Sequence, residues 1–306
     1  MVIVSYSSRE LLRRCLDSLR AHPPGVPMNV VVVDNDSRDG TTEMVAAEYP
    51  EIDLIASPTN LGFSAATNLG ARRGQAPYLL ALNPDTAVTE GALDTVLAAL
   101  EGDQRAAVAG PRLLTEDGSL DHAGRRSFPT PLSALGHFTG IGRRPGARGK
   151  LAAYRAPHVE SGEVDAVNGA FMLMRRSAFD RTGGFDEGYW LYMEDLDLSY
   201  RLAEAGWTSL YVPAATVLHT KGGSTGGERS IRLNWAFHKG MLRFYRLHYA
   251  PERSPFLNAL VYLGIGVKFT TAIAHASLRR ILDRLRHRRP RVAPSDGGSG
   301  SVPSGG

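Results

Sequence analysis

The chain has 306 residues, of which 43% are hydrophobic and 22% are charged, and its formal net charge is +4. These values are typical of a globular protein with a full core, and they exclude a collagen-like or wholly disordered chain. The single cysteine, Cys15, excludes a disulfide within the chain. Positive charge is concentrated between Lys268 and Arg291, which leaves the rest of the chain slightly acidic. A nucleic-acid-binding surface spread over the protein is therefore not expected.

The first hundred residues predict strands that alternate with helices. Short hydrophobic runs predict strands at Val2 to Tyr6, Val30 to Val33, Ile52 to Ile55 and Tyr78 to Leu82. Apolar residues at helical spacing, Cys15 among them, predict a helix that follows a capping box formed by Ser7 and Glu10. Two further helices are predicted from about Thr41 to Tyr49 and from Ser64 to Arg73. This alternation predicts an α/β protein with an open, mostly parallel twisted sheet flanked by helices.

The pattern changes after Ala106. Short strands are predicted at Ala107 to Ala109, Val164 to Val167, Phe171 to Met174 and Leu210 to Pro213. The stretch from Ser127 to Gly162 is rich in Pro, Gly and Arg and predicts a long surface excursion. A helix is predicted from about Asp195 to Ala205, where Gly206 would end it.

The C-terminal third predicts helices that lie near a membrane. Aromatic and basic residues alternate in a helix predicted from about Ile231 to Tyr249. The apolar run from Phe256 to Val267 is short for a membrane crossing, and basic residues follow it. We therefore favour an interfacial helix drawn to anionic lipids, and a helix packed on the catalytic domain or a true span remains an alternative.

Three units follow from these patterns. We expect an α/β domain at 1–225 that divides into two halves at about residue 110. A basic helical segment would occupy 226–291, and a disordered tail 292–306. The N-terminus runs straight into a predicted strand without a signal-peptide pattern, so a cytosolic catalytic domain is expected.

Polar residues follow several predicted strands. They are Tyr6-Ser7, Asp34-Asn35-Asp36 and Asn83-Pro84-Asp85. A single acidic residue after a strand is usually a turn or a helix cap, but ligands of open α/β sheets bind beyond the carboxyl ends of the strands. No glycine-rich phosphate loop follows the first strand, which disfavours dehydrogenases and nucleoside triphosphatases. The pattern indicates a nucleotide held by carboxylates and a metal.

The run from Gly183 to Arg201 is the most informative segment. Glu194, Asp195 and Asp197 fall in the first turn of a predicted helix, where the helix dipole alone could favour acids. The dipole does not explain the aromatic residues that precede them. Aromatic faces suit sugar rings, so carboxylates beside them suggest carbohydrate chemistry.

Taken together, these segments resemble glycosyltransferase family 2, which has the GT-A fold, and within it the bacterial rhamnosyltransferases that act on lipid-linked sugars. The resemblance runs from about residue 2 to 250. It is carried by Val4 to Tyr6, Val32 to Ser37, Asn60 to Phe63 with Asn68, Asn83 to Asp85, Val167 to Ala170, Gly183 to Arg201, His219 with Gly222 to Ser224, and Phe237 to Tyr249. Ser7, Ala66 and Thr67 depart from residues that are common in relatives.

The resemblance implies a catalytic domain at 1–225, with a site for a nucleoside-diphosphate sugar in the half to about residue 110 and an acceptor half from about 111 to 225. Asp34 would contact the base or ribose, with Tyr6 and Phe63 at the border of the pocket and Asn68 nearby. We expect Asn35, Asn83 and Lys221 to complete this site. Lys221 lies in a glycine-rich loop that could close over the diphosphate or could be an ordinary connector.

The resemblance also implies a divalent metal ion, Mg²⁺ or Mn²⁺. Asp85 stands where the family has the metal-binding acid of an Asp-x-Asp motif, although the motif here reads Asn-Pro-Asp and keeps one acid. His219 could supply a further ligand, since imidazole and carboxylate together suit these ions beside a diphosphate.

The remaining roles concern the acceptor. Asp195 matches the catalytic base of the family, and Glu194 would orient the acceptor. Gly169, Trp190 and Tyr192 would contact the acceptor. Asp197 would cap the helix or pair with Arg201.

The implied reaction is inverting transfer of L-rhamnose from dTDP-rhamnose to a hydroxyl of a lipid-linked glycan of the polyprenyl-diphosphate type. It would take place at the cytoplasmic face of the plasma membrane, with the protein bound peripherally to anionic lipids. A galactofuranosyl or other hexosyl donor is an alternative within the same class. A nucleotidyltransferase is disfavoured because no glycine- and basic-rich loop follows the first strand, and a non-catalytic membrane-bound scaffold is disfavoured because the catalytic residues are present.

Overall fold

The computed structural model describes residues 1–129, 159–220 and 230–287, with side chains described as far as residue 279. The strands are β1 (Val2–Ser5), β2 (Val31–Asn35), β3 (Asp53–Ser57), β4 (Tyr78–Leu82), β5 (Thr86–Val88), β6 (Ala106–Leu114), β7 (Arg125–Arg126), β8 (Gly162–Val164), β9 (Ala166–Val167), β10 (Phe171–Arg175) and β11 (Thr208–His219). The helices are α1 (Arg9–Ala21), α2 (Thr41–Glu48), α3 (Phe63–Ala71), α4 (Ala92–Gly102), α5 (Arg176–Arg181), α6 (Glu194–Glu204), α7 (Ile231–His248) and α8 (Pro255–His287).

The described strands form a nine-stranded sheet in the order β3-β2-β1-β4-β10-β6-β11-β5, with β8 added against β11. Strands β3, β2, β1 and β4 are parallel, and β10 runs antiparallel to both β4 and β6. Helices cover the sheet, and the prediction of a mostly parallel α/β architecture is confirmed. The carboxyl ends of β1, β2 and β4 therefore lie at one edge. The sheet continues across residue 110, where two halves were predicted, because β6 spans that position.

Helix α1 packs against the sheet with the stripe that the sequence predicted. Leu12, Cys15, Leu16 and Leu19 are buried. Cys15 is a core residue, and burial raises the pKa of its thiol to about 12. The thiol therefore stays protonated and unreactive at neutral pH.

The predicted capping box at the start of α1 is wrong. Ser7 has a left-handed φ of 47°, so the helix begins later, at Arg9. The backbone N–H of Arg9 donates to the carboxylate of Asp39 at 3.0 Å, and Glu10 pairs with the side chain of Arg9. A carboxylate from the loop after β2 thus caps the helix, so the loops after β1 and β2 are joined.

The later strands and helices differ from the predicted ones mainly in length. Strand β11 has 12 residues and ends at His219, whereas the sequence predicted a strand that stopped at Pro213. Helix α4 was not predicted. Helix α6 begins at Glu194 and is followed by Gly206 with φ of +85°, which confirms the predicted helix and its glycine terminator.

The C-terminal segment contains one long helix. The helical segment Pro255–Arg279 has 25 residues and is long and apolar enough to cross a membrane by length and composition, so the interfacial helix and the true span both stay predictions. Most of this segment is exposed. Its inner face packs on α7, where the Tyr262 ring lies 5.7 Å from that of Tyr245 and Phe269 lies 5.5 Å from His238. Residues 130–158 of the predicted excursion, Lys221 and the 292–306 tail lie outside the described residues.

Candidate active site

The edge formed by the carboxyl ends of β1 and β2 carries two of the predicted nucleotide-binding residues. Tyr6 is 45% exposed, so its ring is available to a ligand. Asp34 is buried; its Oδ2 accepts from the backbone N–H of Ser37 at 3.0 Å, and its Oδ1 has no hydrogen-bond partner among the described residues. Burial raises the pKa of Asp34, although the hydrogen bonds from Ser37 oppose it. A buried carboxyl oxygen without a partner suits a donor group of a base or ribose.

Asn35, which we expected among the nucleotide-binding residues, holds a neighbouring loop instead. Its amide nitrogen donates to the side chain of Asn60 at 3.2 Å and to the carbonyl of Gly62 at 3.1 Å. Its amide oxygen accepts from the backbone N–H of Leu61 at 2.8 Å. Both ends of the amide are used within the protein, so the expected ligand contact by Asn35 is corrected to a positioning role.

Asn68 and Phe63 join α3 to the segment that precedes α6. The amide of Asn68 donates to the carbonyl of Phe185 at 2.8 Å and accepts from the N–H of the same residue at 3.0 Å. Phe63 is buried and packs edge-to-face on Phe185, with ring centroids 5.6 Å apart. Asn68 therefore supports the wall of the cleft, and its expected place near the nucleotide stays a prediction. Phe63 stands in that wall.

Gly62 lies directly against Trp190. It has φ of +84°, and a Cβ at this position would lie 2.3 Å from the backbone oxygen of Trp190. The N–H of Phe63 donates to that same oxygen at 2.7 Å. The loop at the nucleotide side and the loop at the predicted acceptor side are thus in backbone contact, and only glycine fits between them.

Asp85 and His219 meet where β5 and β11 pair. The His219 Nε2 lies 3.5 Å from Asp85 Oδ1, and its Nδ1 lies 3.2 Å from Asp121 Oδ2. All three side chains are buried. Burial alone would lower the pKa of His219, but the hydrogen bonds to Asp121 and Asp85 outweigh it and raise this pKa to about 9. The imidazole is therefore a cation between two carboxylates when no other cation is present.

This arrangement fits a divalent ion that a diphosphate also binds. Two ligand atoms 3.5 Å apart can share one ion, since each would lie about 2.1 Å from it. Asp121 would orient the imidazole through Nδ1, as carboxylates behind metal-binding histidines commonly do. Among the described residues no group of three such side chains could hold an ion by itself. Diphosphate oxygens and water would complete the coordination, as is usual for Mg²⁺.

Asp195 lies at the start of α6 and is held by several donors. Its Oδ2 accepts from the backbone N–H of Gly169 at 2.8 Å and from the guanidinium of Arg126 at 2.6 Å. Its Oδ1 accepts from the N–H of Leu196 at 2.7 Å. Gly169, expected to contact the acceptor, instead fixes the carboxylate, and a Cβ there would lie 3.3 Å from Asp195. The arrangement stabilises an ionised carboxylate in one orientation.

Arg126 was not predicted as a site residue. Its side chain is 11% exposed, and the same nitrogen that contacts Asp195 also donates to the carbonyl of Val167 at 2.8 Å. Strands β7 and β9 pair through Arg126 and Ala166, which places the guanidinium beside the acid. The sequence signal was weak because this arginine sits in a short Gly- and Arg-rich segment.

Glu194 is buried next to Asp195. Burial, together with the neighbouring negative charge of Asp195, raises the pKa of Glu194 to about 8. Its Oε2 has no hydrogen-bond partner among the described residues. Burial beside the Asp195 carboxylate thus disfavours the charged form of Glu194.

Asp197 has a structural role. Its carboxylate accepts from Arg201 at 2.8 Å, from His248 at 2.7 Å and from the Tyr189 hydroxyl at 3.1 Å. The pairing with Arg201 was one of two predicted alternatives and is confirmed. The partnership with His248 also fastens α6 to α7.

The pair Asp85–His219 and the base Asp195 belong to adjacent clusters at one edge. The loop 121–126 supplies Asp121 to the first cluster and Arg126 to the second. Five residues span at most about 18 Å between Cα atoms. The N–H of Asn83 also donates to the carbonyl of Ala170 at 2.9 Å, beside Gly169. The side chain of Asn83 stays a prediction as a ligand.

The aromatic residues before α6 include a strained pair. Tyr192 and Met193 have left-handed φ values of 72° and 74°, which are unusual for residues with side chains. The Tyr192 ring packs edge-to-face on Phe237 at 5.9 Å, and Gly240 of α7 lies under its carbonyl. Trp190 and Tyr192 are half-buried, so they border the cleft as predicted, and their contact with an acceptor stays a prediction.

A family model described as "Glycosyl transferase family 2" matches residues 1–183 of the chain. The chain belongs to this family. It is 37% identical over 262 residues to an N-acetylglucosaminyl-diphospho-decaprenol L-rhamnosyltransferase of Mycobacterium tuberculosis, with 80% of this chain and 82% of the relative covered. It is also 28% identical over 227 residues to rhamnosyltransferase WbbL of Escherichia coli K12, covering 72% of this chain and 82% of the relative. The predicted family is confirmed, and the chain is a glycosyltransferase.

Solved structures support the fold of this family 2 protein. GalNAc-T7 with UDP, GalNAc and Mn²⁺ superimposes with a TM-score of 0.58 at 17% identity, covering 81% of this chain and 47% of that chain. The mannosyltransferase PcManGT of Pyrobaculum calidifontis, with GDP-Man and Mn²⁺, gives 0.56 at 16% identity and covers 94% and 80%. These similarities show the GT-A-like architecture.

A cavity in the described part of the glycosyltransferase does not coincide with this site. It measures about 1180 Å³ and is lined by residues at the amino ends of the parallel strands, including Met1, Pro24 and Tyr78. The carboxylates described above are at the opposite edge. We assign the chemistry to the carboxylate edge, because the ionisable groups converge there.

Proposed function

We propose that this protein transfers L-rhamnose from dTDP-rhamnose to a hydroxyl of a lipid-linked glycan, with inversion at the anomeric carbon. The observation that carries the reaction type is the buried Asp195 carboxylate, anchored by Gly169 and Arg126. The substrate class is supported by the 37% identical relative, whose name gives a decaprenyl-diphosphate acceptor and a rhamnosyl group.

The residues of this chain divide the work between the two substrates. Asp34 and Tyr6 hold the nucleotide, and Asp85 with His219 holds a divalent ion against the diphosphate. When bound, the ion neutralises charge on the leaving nucleoside diphosphate. Asp195 accepts the proton of the acceptor hydroxyl as its oxygen attacks the anomeric carbon. Glu194, whose charged form is disfavoured by burial beside Asp195, would orient the acceptor.

We further propose peripheral attachment at the cytoplasmic face of the plasma membrane through α8 and the basic residues that follow it. The exposed apolar length of α8 supports attachment to a membrane. The proposed organisation is a catalytic domain at 1–225 and a membrane-associating segment at 226–291. A lipid-linked acceptor would then present its sugar at the surface where the catalytic edge works.

The test is a donor panel with a defined acceptor. Purified protein is incubated with N-acetylglucosaminyl-diphosphate lipid and with dTDP-rhamnose, UDP-galactofuranose or UDP-glucose, each with Mg²⁺, Mn²⁺ or EDTA. We expect rhamnosylated lipid by mass analysis, loss of turnover in EDTA, and a decrease of about 100-fold or more in Asp195→Asn. Transfer from a UDP-sugar but not from dTDP-rhamnose would show that the proposed donor is wrong. Unchanged turnover of Asp195→Asn would show that Asp195 is not the base.

A further inference from the structure

The outward face of α7 carries a row of cationic and aromatic side chains that the proposed chemistry does not use. Arg232, Trp235 and Lys239 are spaced by three and four residues, so they lie on one face of the helix. All three are exposed, and the Trp235 side chain is 51% exposed. We call these three residues the α7 stripe.

The two cations of the α7 stripe are paired with aromatic faces. The guanidinium of Arg232 lies 4.4 Å from the ring centroid of Trp190, and the ammonium of Lys239 lies 4.9 Å from that of Trp235. No carboxylate of the described residues forms an ion pair with either cation. Arg243, further along the same helix, differs because its guanidinium is paired with Asp186 at 2.7 Å.

Stacking leaves the hydrogen-bonding capacity of Arg232 intact. A guanidinium that rests its face on an indole keeps its N–H donors in the plane of the group, pointing away from the ring. These donors match two oxygens of a phosphate group. The ammonium of Lys239, one and a half to two turns further along α7, can serve a second phosphate.

The α7 stripe lies between the acceptor loop and the membrane helix. On one side Arg232 touches Trp190, whose backbone contacts Gly62 and Phe63 at the catalytic edge. On the other side His238 and Tyr245 of α7 pack against α8. The outward side of α8 carries a row of exposed apolar residues, Phe256, Leu260, Leu263 and Val267. A lipid that lies along α8 and presents its sugar near Trp190 would bring its head group close to the α7 stripe.

We propose that the α7 stripe binds the diphosphate that links the acceptor sugar to its lipid. This inference rests on the proposed function, because it deepens the acceptor class named there. Arg232 and Lys239 bind the phosphate oxygens, and Trp235 covers the first apolar carbons of the lipid. The binding fixes the distance between lipid head group and sugar, so the sugar hydroxyl reaches Asp195.

The test compares charge-matched double variants. Arg232→Gln with Lys239→Gln removes both cations of the α7 stripe, and Arg246→Gln with Arg72→Gln removes two exposed cations elsewhere. Initial rates are measured in detergent micelles with N-acetylglucosaminyl-diphosphate carrying a short isoprenoid chain, and with uncharged octyl N-acetylglucosaminide. We expect the first variant to raise KM for the diphosphate acceptor by about tenfold or more. Its kcat, its donor KM and its KM for the uncharged glycoside stay as in wild type, and the control variant behaves as wild type.

Three outcomes overturn the proposal. One is an unchanged KM of the stripe variant for the diphosphate acceptor. A second is an equal rise for the uncharged glycoside, which would indicate altered folding near Trp190. The third is loss of binding to vesicles of anionic phospholipid without acceptor, together with an unchanged acceptor KM in micelles, which would assign these cations to the lipid surface.

The wild-type protein separates this proposal from the proposed function. If the wild type transfers the sugar and the stripe variant shows no defect, only the α7 stripe proposal is overturned. If the wild type hydrolyses the nucleotide sugar but transfers to no diphosphate-linked acceptor, the proposed acceptor class is wrong, and the α7 stripe proposal is overturned with it.

Discussion

Among single residues, Arg126 determines how Asp195 is presented to an acceptor. The guanidinium contacts the carboxylate at 2.6 Å and the carbonyl of Val167 at 2.8 Å, so it ties the acid to β9. A small displacement of a catalytic group can reduce a rate by about 100-fold. We therefore expect Arg126→Gln to lower kcat by about that factor, with the donor KM unchanged.

Arg126→Lys should recover part of this loss, because it keeps the charge but lacks the planar donor geometry. The matched control is Arg125→Gln, since Arg125 stacks over Tyr211 and not over the acid. Steady-state kinetics measure all three variants. A wild-type kcat in Arg126→Gln would show that Asp195 is positioned without it.

Glu194 provides a pH-dependent prediction. Its pKa is about 8 in the folded protein and near the ordinary 4.5 in the unfolded chain. Between these values the folded state holds a proton that the unfolded state has released, so wild-type stability falls as pH rises through this window. Glu194→Gln removes that dependence. We expect the variant to gain stability relative to wild type between pH 5.5 and 8, by up to about 1.4 kcal/mol per pH unit.

Chemical denaturation at pH 5.5 and at pH 8 measures the difference in the free energy of unfolding between Glu194→Gln and wild type. Glu204→Gln, an exposed acid on the same helix, serves as the control and should show no such trend. The Glu194→Gln protein should also keep its activity at pH 7 within a few fold, because glutamine replaces a neutral carboxyl. A gap between the variant and wild type that does not change with pH would show that Glu194 is ionised in the folded protein.

Asp121 acts behind His219. Its carboxylate lies 3.2 Å from Nδ1, so it fixes the direction of Nε2 toward Asp85. Loss of such an outer partner commonly weakens metal binding by about 10- to 100-fold. We expect Asp121→Asn to raise the Mn²⁺ concentration for half-maximal activity by that range, with little change at saturating Mn²⁺. Asp117→Asn in the adjacent exposed turn is the control, and equal Mn²⁺ requirements in all three proteins would disprove the role.

Among the helices, α6 and α7 are fastened by Asp197. The buried carboxylate accepts from Arg201, His248 and Tyr189, and its pKa is lowered because these partners outweigh burial. Removing one member of a buried ion pair commonly costs about 3 kcal/mol. We expect Asp197→Asn to lower the free energy of unfolding by about that amount, with Asp180→Asn at an exposed position as control.

The lowered pKa of Asp197 determines how the stabilisation by its ion pairs depends on pH. The stabilisation is present above the unfolded pKa of Asp197 and is lost as pH falls through the lower folded pKa. The difference between wild type and Asp197→Asn should therefore shrink only in acid. Denaturation curves at pH 7 and pH 3.5 measure this, and an equal stability of both proteins at pH 7 would contradict the anchoring role.

The sequence predicted elements well where hydrophobic periodicity is strong. The buried strands β1, β2 and β4 are continuous apolar runs, and the apolar spacing in α1 is unambiguous. The start of α1 was missed because its cap, Asp39, comes from another loop. The length of α8 was underestimated because Lys268 was read as an interruption, whereas a single cation does not end a helix.

For the molecule as a whole, α8 carries the proposed membrane attachment. Leu263 is 64% exposed on the outer side of this helix, so we expect its substitution to leave the fold intact. An aspartate in an apolar membrane segment is unfavourable by about 3 kcal/mol at its centre. We expect Leu263→Asp to reduce the membrane-bound fraction in cell fractionation while activity on a soluble acceptor stays unchanged.

Leu247→Asp is the matched control, because this leucine is 47% exposed but belongs to α7. It should fractionate as wild type does. Equal membrane binding of Leu263→Asp and wild type would show that α8 is not the attachment site.

The active site was predictable in part from the sequence. Asp34, Asp85 and His219 lie at or after strands whose carboxyl ends share an edge, as the sequence indicated, and their roles toward a ligand stay predictions. Asn35 and Asn68 occupy comparable positions, yet their amides satisfy backbone groups of other loops, and sequence spacing does not distinguish the two uses. Arg126 and Asp121 were missed because their roles depend on the path of a short loop between two clusters.

The contact between Gly62 and the Trp190 carbonyl makes one wall common to both substrates. A larger residue at 62, or a shift of the tryptophan, would move the borders of the donor and acceptor chambers at the same time. Relatives that adopt a new sugar donor through this wall should thus show altered acceptor choice as well. A change in specificity for one substrate alone must come from side chains outside this contact.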